Sequence, residues 1–405
     1  MSETELAKFN IANQNSFLIF TLLFNTLTWF YIVWGAIGTA IEELQKTVSG
    51  LVFIVAPIFF ISIVGSAIFG SIISDKLKTV RFFYFWVLLG ILSSLLLAWF
   101  GKIDVTNASI VSFFSGFSFG IGMPALLALF ADCTTVESRG RVAGLVFFVI
   151  NLSASLLVVP VKTFDLMTVS MISAWRGFAL ILIFLLKSPT RIMEIRKPFS
   201  FSSVFQDKAF TLYFVAWFLF CFVDNFEKLI LGSFLEAGFY VSMLMVEAII
   251  GSVFVLIGGW LCDFIGRKRV VIYGFAALGV AYAIVSISQT MFSWYFYFVV
   301  DGISGGMLLV AFIFVLWGDL SQQGGREKYY AIGSVPYFLA PLIKFILAPF
   351  VAFPAYAAFS LASFFLFLAV LPLMYAPETL PEKKIELRRL KKYVEEARKV
   401  KEKRE

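Results

Sequence analysis

The chain has 405 residues, of which 60% are hydrophobic and only 15% are charged, and its formal net charge is +7. A soluble domain carries about 25% charged residues, so this composition excludes a water-soluble globular protein and indicates an integral membrane protein. The positive charge gives little support to nucleic-acid binding, because most of it comes from the basic tail after Pro381. We therefore predict contact with a lipid bilayer and no nucleic-acid partner.

Twelve apolar stretches follow one another along the chain, each long enough to cross about 30 Å of hydrocarbon as a helix. A membrane β-barrel would instead alternate apolar and polar residues over about ten residues. We predict an all-α membrane protein with twelve transmembrane helices in two pseudo-symmetric six-helix bundles. The predicted spans are 16–38, 50–73, 80–99, 107–131, 142–161 and 167–186 in the first half, and 209–232, 239–262, 270–289, 293–318, 330–351 and 353–375 in the second.

The two halves carry similar signals at the same ends of their predicted helices. Asp75 and Asp132, after the second and fourth spans, correspond to Asp263 and Asp319 after the eighth and tenth, at almost equal spacing. A duplicated bundle explains this repeat, and such bundles hold a solute site between their halves. We predict four segments: an N-terminal bundle (1–190), a cytoplasmic linker (191–208), a C-terminal bundle (209–376) and a basic cytoplasmic tail (377–405).

The distribution of cations predicts the orientation. Most of the 33 Lys and Arg residues lie in the termini and alternate loops on one side, whereas the opposite loops hold only Lys46, Lys102 and Lys162. By the positive-inside rule, both termini are cytoplasmic, and we predict a multi-pass protein of the cytoplasmic (plasma) membrane. The tail can either lie as a helix on the anionic inner leaflet or extend into solvent.

The sequence offers few residues suited to catalysis or metal binding. It has no histidine, its three cysteines (Cys133, Cys221 and Cys262) are isolated, and it lacks a phosphate-binding loop of the GxxxxGK type. We predict that the chain is not an enzyme, that it carries no cofactor and no metal, and that ion or solute gradients supply the energy it uses.

The loop after the eighth span carries the most specific motif. Its residues fit the Gly-x-x-x-Asp-x-x-Gly-Arg-Lys loop of the major facilitator superfamily, with Phe264 where a cation is usual: Gly259, Asp263, Gly266, Arg267 and Lys268. The first copy departs from the motif, since Lys78 stands at the glycine position. The twelve spans, the six-plus-six repeat and the inner termini also resemble this superfamily. The resemblance implies a transporter whose two bundles rock about a central site.

Three short fragments look like the sugar-porter and metabolite:proton symporter branches of that superfamily. They are 137–141, 188–191 after the sixth span, and 377–379 after the twelfth. The paired glutamines that sugar porters carry in the seventh span are absent from this chain.

By the same resemblance, six charged residues at the cytoplasmic helix ends are gating residues that join the halves when this side is closed: Asp75, Asp263, Arg139, Arg141, Arg267 and Arg326. An acid at a helix end can accept from exposed backbone N–H groups, and arginines can hold it by charge-assisted bonds. The alternative is ordinary positive-inside charge with incidental acidic neighbours.

Ionisable residues inside the spans cost at least about 2.5–3.5 kcal/mol each on insertion scales, so they tend to face a cavity and mark function. All but one lie in the second half: Arg176, then Asp224, Glu227, Lys228, Glu247, Asp301 and Lys344. We predict proton coupling by Glu247 and Asp301, because desolvation favours the neutral form of a carboxyl group. The predicted substrate-binding residues are Asn25, Trp29, Asn151, Arg176, Asp224 and Lys344.

Two of these assignments have alternatives. Asp224 and Lys344 lie at similar depths and can meet across the cavity, but Asp224 and Lys228 are four residues apart on one helix and can pair there instead. Arg176 can hold a substrate carboxylate or phosphate, or it can pair within the protein.

We predict a monomeric secondary transporter that takes up a small-molecule substrate, a sugar or an organic acid, with the proton as coupling ion. Two alternatives remain. One is a proton-coupled exporter of amphiphilic compounds, which the many aromatic residues would suit. The other is a non-transporting membrane sensor or scaffold whose tail binds a cytoplasmic partner.

Overall fold

A computed structural model of the chain describes residues 3–47, 52–77, 80–98, 104–157, 166–185, 199–342 and 354–381. Some side chains within these ranges are outside the description, namely those of residues 3–14, 40, 42–47, 52, 75–77, 155–157, 233 and 323. Several predictions therefore concern parts of the chain that lie outside the described residues: the side chain of Asp75, Lys344, the linker up to residue 198 and the tail after residue 381.

Twelve long helices occupy the described residues, one for each predicted span. They are α1 (Glu3–Thr47), α2 (Val52–Leu77), α3 (Val80–Leu96), α4 (Val105–Asp132), α5 (Arg139–Leu157), α6 (Leu166–Leu185), α7 (Lys208–Phe234), α8 (Ala237–Ile265), α9 (Arg267–Ile287), α10 (Met291–Leu320), α11 (Arg326–Leu339) and α12 (Ala355–Tyr375). Nine of these described helices are long and apolar enough to cross a membrane. A short helix, Phe201–Gln206, lies in the predicted linker.

Helices are the expected outcome for such a sequence, because hydrocarbon offers no partner to backbone N–H and C=O groups and a helix satisfies them within one segment. The outer surface carries large apolar side chains such as Phe184 and Phe292, which are 79% and 77% exposed in the isolated chain. A surface of this kind suits contact with lipid rather than water.

Helices of the two halves pack in the same pairs. In the first half α2 packs on α4, and α6 packs on α1 and α3; in the second half α8 packs on α10, and α12 packs on α7 and α9. Contacts between the halves are also symmetric: α5 of the first half packs on α8, and its counterpart α11 of the second half packs on α2. The prediction of an all-α membrane protein with two pseudo-symmetric six-helix bundles is confirmed.

The motif glycines bring the two bundles together. At the crossing of α5 and α8, a Cβ atom on Gly259 would collide with the backbone of Gly140 and Gly144, so only small residues allow this approach. Between α8 and α9, Gly266 has φ +107°, a conformation that glycine adopts without strain. Both features lie at the helix ends that the cation-rich loops connect. We call this side of the protein the basic side.

Candidate functional site

A cavity of about 650 Å³ lies between the bundles, within the range of roughly 300–1,000 Å³ usual for small-molecule sites. Its two walls differ. The first bundle contributes mainly aromatic side chains together with one amide: Phe30, Tyr31, Trp34, Phe60 and Asn151. The second bundle contributes the charged side chains that the described lining contains: Asp224, Lys228, Glu247 and Asp301. Asp224, Glu247, Asp301 and Asn151 thus reach the cavity for which they were predicted.

Acids outnumber cations on the wall of the second bundle. Lys228 Nζ donates to Asp224 Oδ1 at 2.8 Å, one helical turn along α7. The ammonium group also lies in the electrostatic field of Glu247 and Asp301. Lys228 is the one cation among the described lining residues. The pair within α7 is therefore formed, whereas the pairing of Asp224 with Lys344 stays a prediction.

Glu227 lies behind this wall, on the side of α7 that faces α9 and α10. Its side chain is only 2% exposed, and the Tyr282 hydroxyl of α9 donates to its Oε2 at 3.2 Å. One carboxylate oxygen from each of Asp224, Glu227 and Asp301 lies within 4.8 Å of the others. Sequence reasoning placed Glu227 inside the membrane but gave it no role, and nothing in the spacing of α9 or α10 indicated which residues would face it.

Arg176 of α6 is buried inside the first bundle rather than on the cavity surface. Its Nη1 donates to Thr26 Oγ1 at 2.8 Å and to Asn25 Oδ1 at 3.3 Å. The guanidinium carbon lies 5.0 Å from the Trp29 ring centroid and 4.5 Å from that of Trp86. These contacts tie α6 to α1 and α3.

The predicted contact of Asn25, Trp29 and Arg176 with substrate does not appear in this arrangement. None of the three is among the described residues that line the cavity. Asn25 and Trp29 use their polar atoms inside the bundle, since Asn25 Nδ2 donates to the Trp175 carbonyl at 2.6 Å and Trp29 Nε1 donates to Ser94 Oγ at 2.8 Å. The spans were identified correctly, but the faces of α1 and α6 that carry these side chains turn inward to their own bundle.

On the basic side, Asp319 of α10 lies between two buried arginines. Arg139 of α5 donates to its Oδ1, and Arg267 of α9 donates from Nε to its Oδ2 at 3.0 Å. The Thr379 hydroxyl, from the fragment after α12, donates to the same oxygen at 3.2 Å. Because Arg139 belongs to the first bundle and Asp319 to the second, this ion pair joins the bundles.

Asp263, the acid of the motif, makes the second connection. Its carboxylate accepts from the backbone N–H groups of Gly140 and Arg141 at 3.0 and 2.9 Å, so an acid of α8 binds the N-terminal turn of α5 in the other bundle. It also pairs with the Arg141 and Arg267 side chains at 3.2 and 3.1 Å.

A third connection joins Arg326 of α11 to Asp132 of α4. We call these seven residues the closure network: Asp132, Arg139, Arg141, Asp263, Arg267, Asp319 and Arg326. All predicted gating residues whose side chains are described belong to it. Asp132 and Asp319 were recognised in the sequence repeat but were given no role there. Glu378, which accepts from the backbone N–H groups of Arg267 and Lys268 at 2.9 and 3.2 Å, supports the start of α9.

Comparison with known proteins places this geometry in a family. The model described as Major Facilitator Superfamily matches residues 3–158 and 209–403. No curated protein matches the chain.

Among solved structures, the human organic anion transporter MFSD10 (TETRAN) superposes with a TM-score of 0.66 at 14% identity, covering 89% of this chain and 99% of that one. The proton:xylose symporter XylE gives 0.67 at 16% identity, covering 91% and 97%. The E. coli fucose:proton symporter FucP gives 0.70 at 13% identity, covering 88% and 98%. Identities this low show a shared fold and leave the substrate open.

Proposed function

Because this chain belongs to the major facilitator superfamily, we propose that it is a secondary transporter that moves a small polar solute across the cytoplasmic membrane by alternating access, with protons as coupling ions. The observations that support the proposal are the inter-bundle cavity, in which three carboxylates face one ammonium group, and the ion pairs that join the two bundles on the basic side. We propose that the basic side is cytoplasmic, as the positive-inside rule predicts.

The closure network acts as the gate in this proposal. Its ion pairs and the contact of Asp263 with the start of α5 cross from one bundle to the other, so they must break before the cavity opens to the basic side. Paired charges suit this role, because the ion pair between each acid and its arginine can break when the side opens and form again when it closes. Asp75, at the equivalent end of α2, is proposed to play the corresponding part.

Glu247 and Asp301 are the proposed proton carriers. Both line the cavity, and they interact electrostatically with each other and with Lys228. A buried carboxyl group next to other carboxyl groups gains from protonation, and access to the cavity allows the proton to be exchanged with water. Lys228 is proposed to hold Asp224 while its neighbours change charge.

A neutral sugar is the substrate class that the cavity favours. A carboxylate would be repelled by the acid-rich wall, whereas hydroxyl groups can donate to Asp224 and bind the amides of Asn151 and Asn225, all of which line the cavity. The rings of Tyr31 and Trp34 on the opposite wall offer apolar faces for a sugar ring. Two of the similar structures are sugar:proton symporters.

Export of amphiphilic cations is the second candidate. The same acids would attract a positive charge, and the aromatic wall would attract it by cation–π contact. Its apolar body would pack on Phe30, Phe60 and Phe338, which also line the cavity.

Uptake into proteoliposomes tests the proposal. A pH gradient, acidic outside, is expected to drive accumulation of at least one sugar in a panel of hexoses and pentoses. Asp301→Asn should abolish accumulation while retaining sugar exchange between the two sides, because exchange needs the gate but no net proton transfer. Glu236→Gln, at an exposed position between α7 and α8, is the matched control.

Two other outcomes of the uptake experiment would count against parts of this proposal. Sugar accumulation that ignores the pH gradient would contradict proton coupling. Efflux of a cationic dye that an uncoupler collapses, without uptake of any sugar, would favour the second candidate.

A further inference from the structure

We propose that three aromatic rings form a seal against protons between the cavity and the closure network, and that Phe338 of α11 is its moving part. We call Phe30, Phe119 and Phe338 the aromatic seal. The inference rests on the proposed function, because a transporter driven by protons must prevent them from crossing without solute. It gives a role to rings that are neither proton carriers nor members of the gate.

The rings of the aromatic seal touch one another where the two bundles meet. Phe30 of α1 stacks on Phe119 of α4, with the ring centroids 4.0 Å apart. Phe338 of the second bundle meets both rings edge-on, with its centroid 6.1 Å from that of Phe30 and 5.9 Å from that of Phe119. None of the three side chains is more than 9% exposed. A ring pair of the first bundle is thus covered by one ring of the second.

The aromatic seal separates the cavity from a smaller void of about 50 Å³. Phe30 and Phe338 line both spaces, whereas Phe119 lines only the smaller one. The smaller void extends towards the closure network, because Tyr330 lines it and the Tyr330 hydroxyl lies near the Arg139 guanidinium group. A proton that leaves the cavity for the basic side must therefore pass the seal.

The smaller void offers little support to a chain of water molecules. No charged residue lines it in the part of the chain that the structure describes. Its volume would admit water, but a buried water molecule needs about two to four hydrogen-bond partners. Two polar side chains of the lining already donate to backbone carbonyl groups, Tyr330 to Phe314 at 2.6 Å and Ser334 to Ala331 at 2.9 Å. The hydrogen-bonded path that a proton needs is interrupted here.

The closure network does not provide such an interruption. Its ion pairs run from Asp319 through Arg267 and Asp263 to Arg141, and the Arg141 side chain is 53% exposed. Charged groups hold water strongly, and carboxylates can take up and release protons. The closure network therefore holds the bundles together, whereas the aromatic seal excludes water between them.

Rocking of the bundles would open the seal together with the gate. Phe30 and Phe119 both belong to the first bundle, while Phe338 lies on α11, which packs on α2 across the interface. Separation of the bundles on the basic side would withdraw Phe338 from the other two rings. The same movement breaks the ion pairs of the closure network, so a path for solute and proton forms in one step.

Proton leak into proteoliposomes tests the seal without any solute. A potassium gradient with valinomycin sets the membrane potential, and a pH-sensitive dye records proton entry. We expect Phe338→Ala to raise the rate at least about fivefold, because the space left by the ring admits water. Phe338→Leu, which keeps an apolar side chain of similar bulk, should stay within about twofold of the unmodified chain. Phe364→Ala, at a position of α12 that is 59% exposed, is the matched control.

Two further measurements separate a broken seal from an open gate or an unfolded chain. Alkylation of the buried Cys262, with the other two cysteines replaced by serine, reports whether the basic side stays closed, and its rate should not change in Phe338→Ala. Phe338→Asn, which places a polar amide among the rings, should leak as well, so the test does not depend on the folding of one variant.

Three outcomes would overturn the aromatic seal: a leak in Phe338→Ala and Phe338→Asn no larger than in Phe364→Ala, an equal leak in Phe338→Leu and Phe338→Ala, or a leak that rises only in step with Cys262 alkylation. The measurement needs neither a sugar nor coupled uptake, so its failure is distinct from failure of the transport proposal. Proton-driven sugar uptake in a chain whose Phe338 variants do not leak would retain the proposed function and remove only this inference.

Discussion

The closure network and the cavity wall both bury acidic side chains, but they balance the charge differently. In the closure network, Asp132, Asp263 and Asp319 each meet at least one arginine. Behind and along the cavity wall, Asp224, Glu227, Glu247 and Asp301 share one described cation, Lys228. The two regions share two helices, since α8 and α10 contribute acids to both.

This difference separates two uses of a buried charge. A matched acid holds one arrangement of the bundles, because removing its partner leaves an uncompensated charge in a low-dielectric interior. An unmatched acid is available to a proton, because protonation removes the uncompensated negative charge. Neutralising an acid should therefore have opposite effects on stability in the two regions.

The largest effect is expected from Asp319→Ala, which leaves Arg139 without its carboxylate. Breaking a buried ion pair costs about 3–5 kcal/mol, and here the cost falls on the closed arrangement of the basic side. Alkylation of Cys262, which is fully buried at this end of α8, measures opening in a chain whose other two cysteines are replaced by serine. We expect at least a tenfold faster reaction.

Asp104→Ala is the control for that experiment, because Asp104 is an exposed acid that caps α4 at the opposite side. Equal alkylation rates of Cys262 in the two variants would contradict the role of Asp319 in closure.

An intermediate effect is expected from Lys228→Gln, which removes the described cation from the cavity wall. The loss of folding stability should be about 1–3 kcal/mol at pH 8, the usual cost of an unsatisfied buried group. Thermal unfolding at pH 8 measures the loss, with Lys208→Gln, an exposed lysine of the same helix, as control. A loss no larger than that of Lys208→Gln would argue against Lys228 as the balancing cation of this region.

Asp301→Asn should stabilise the protein, whereas Asp263→Asn should destabilise it. Removing an unmatched charge from a functional site commonly gains about 0.5–2 kcal/mol at the expense of activity. Asp263 by contrast is only 2% exposed, and it holds two backbone N–H groups of α5. Chemical or thermal unfolding of both variants tests this difference directly. A change of the same sign in the stability of both variants would contradict it.

The smallest effect is expected from Arg141→Ala. The Arg141 side chain is 53% exposed, and the backbone groups that hold Asp263 remain after truncation. An exposed ion pair contributes about 0.2–1 kcal/mol, so the unfolding midpoint should barely move. Arg139→Ala, which truncates a side chain that is 1% exposed, should cost several times more. Similar losses in the two variants would show that burial does not decide the strength of these pairs.

Much of the architecture was predictable from the sequence. Each of the twelve apolar stretches corresponds to a helix, and the repeat of Asp75 and Asp132 in Asp263 and Asp319 indicated the duplicated bundles. The motif around Asp263 also identified the helix ends that meet, because its glycines allow close approach of helices and its arginines pair with acidic side chains.

The direction in which each helix turns its polar residues was not predictable. Arg176 and Asp301 each lie in the middle of a long apolar helix, far from any other charge of that helix, yet Arg176 packs between Trp29 and Trp86 inside its bundle while Asp301 reaches the cavity. A helix with a polar face reveals its rotation through the period of its hydrophobic residues. These helices are apolar on nearly every face, so that signal is weak.

The sequence alone determined that this is a helical membrane protein and where its two halves correspond, because apolar length and repeated motifs follow from local composition. Only the tertiary structure decided which acids are matched by arginines and which converge around Glu227. That choice depends on how α7, α8, α9 and α10 rotate against one another, and close packing of side chains from distant parts of the chain sets this rotation.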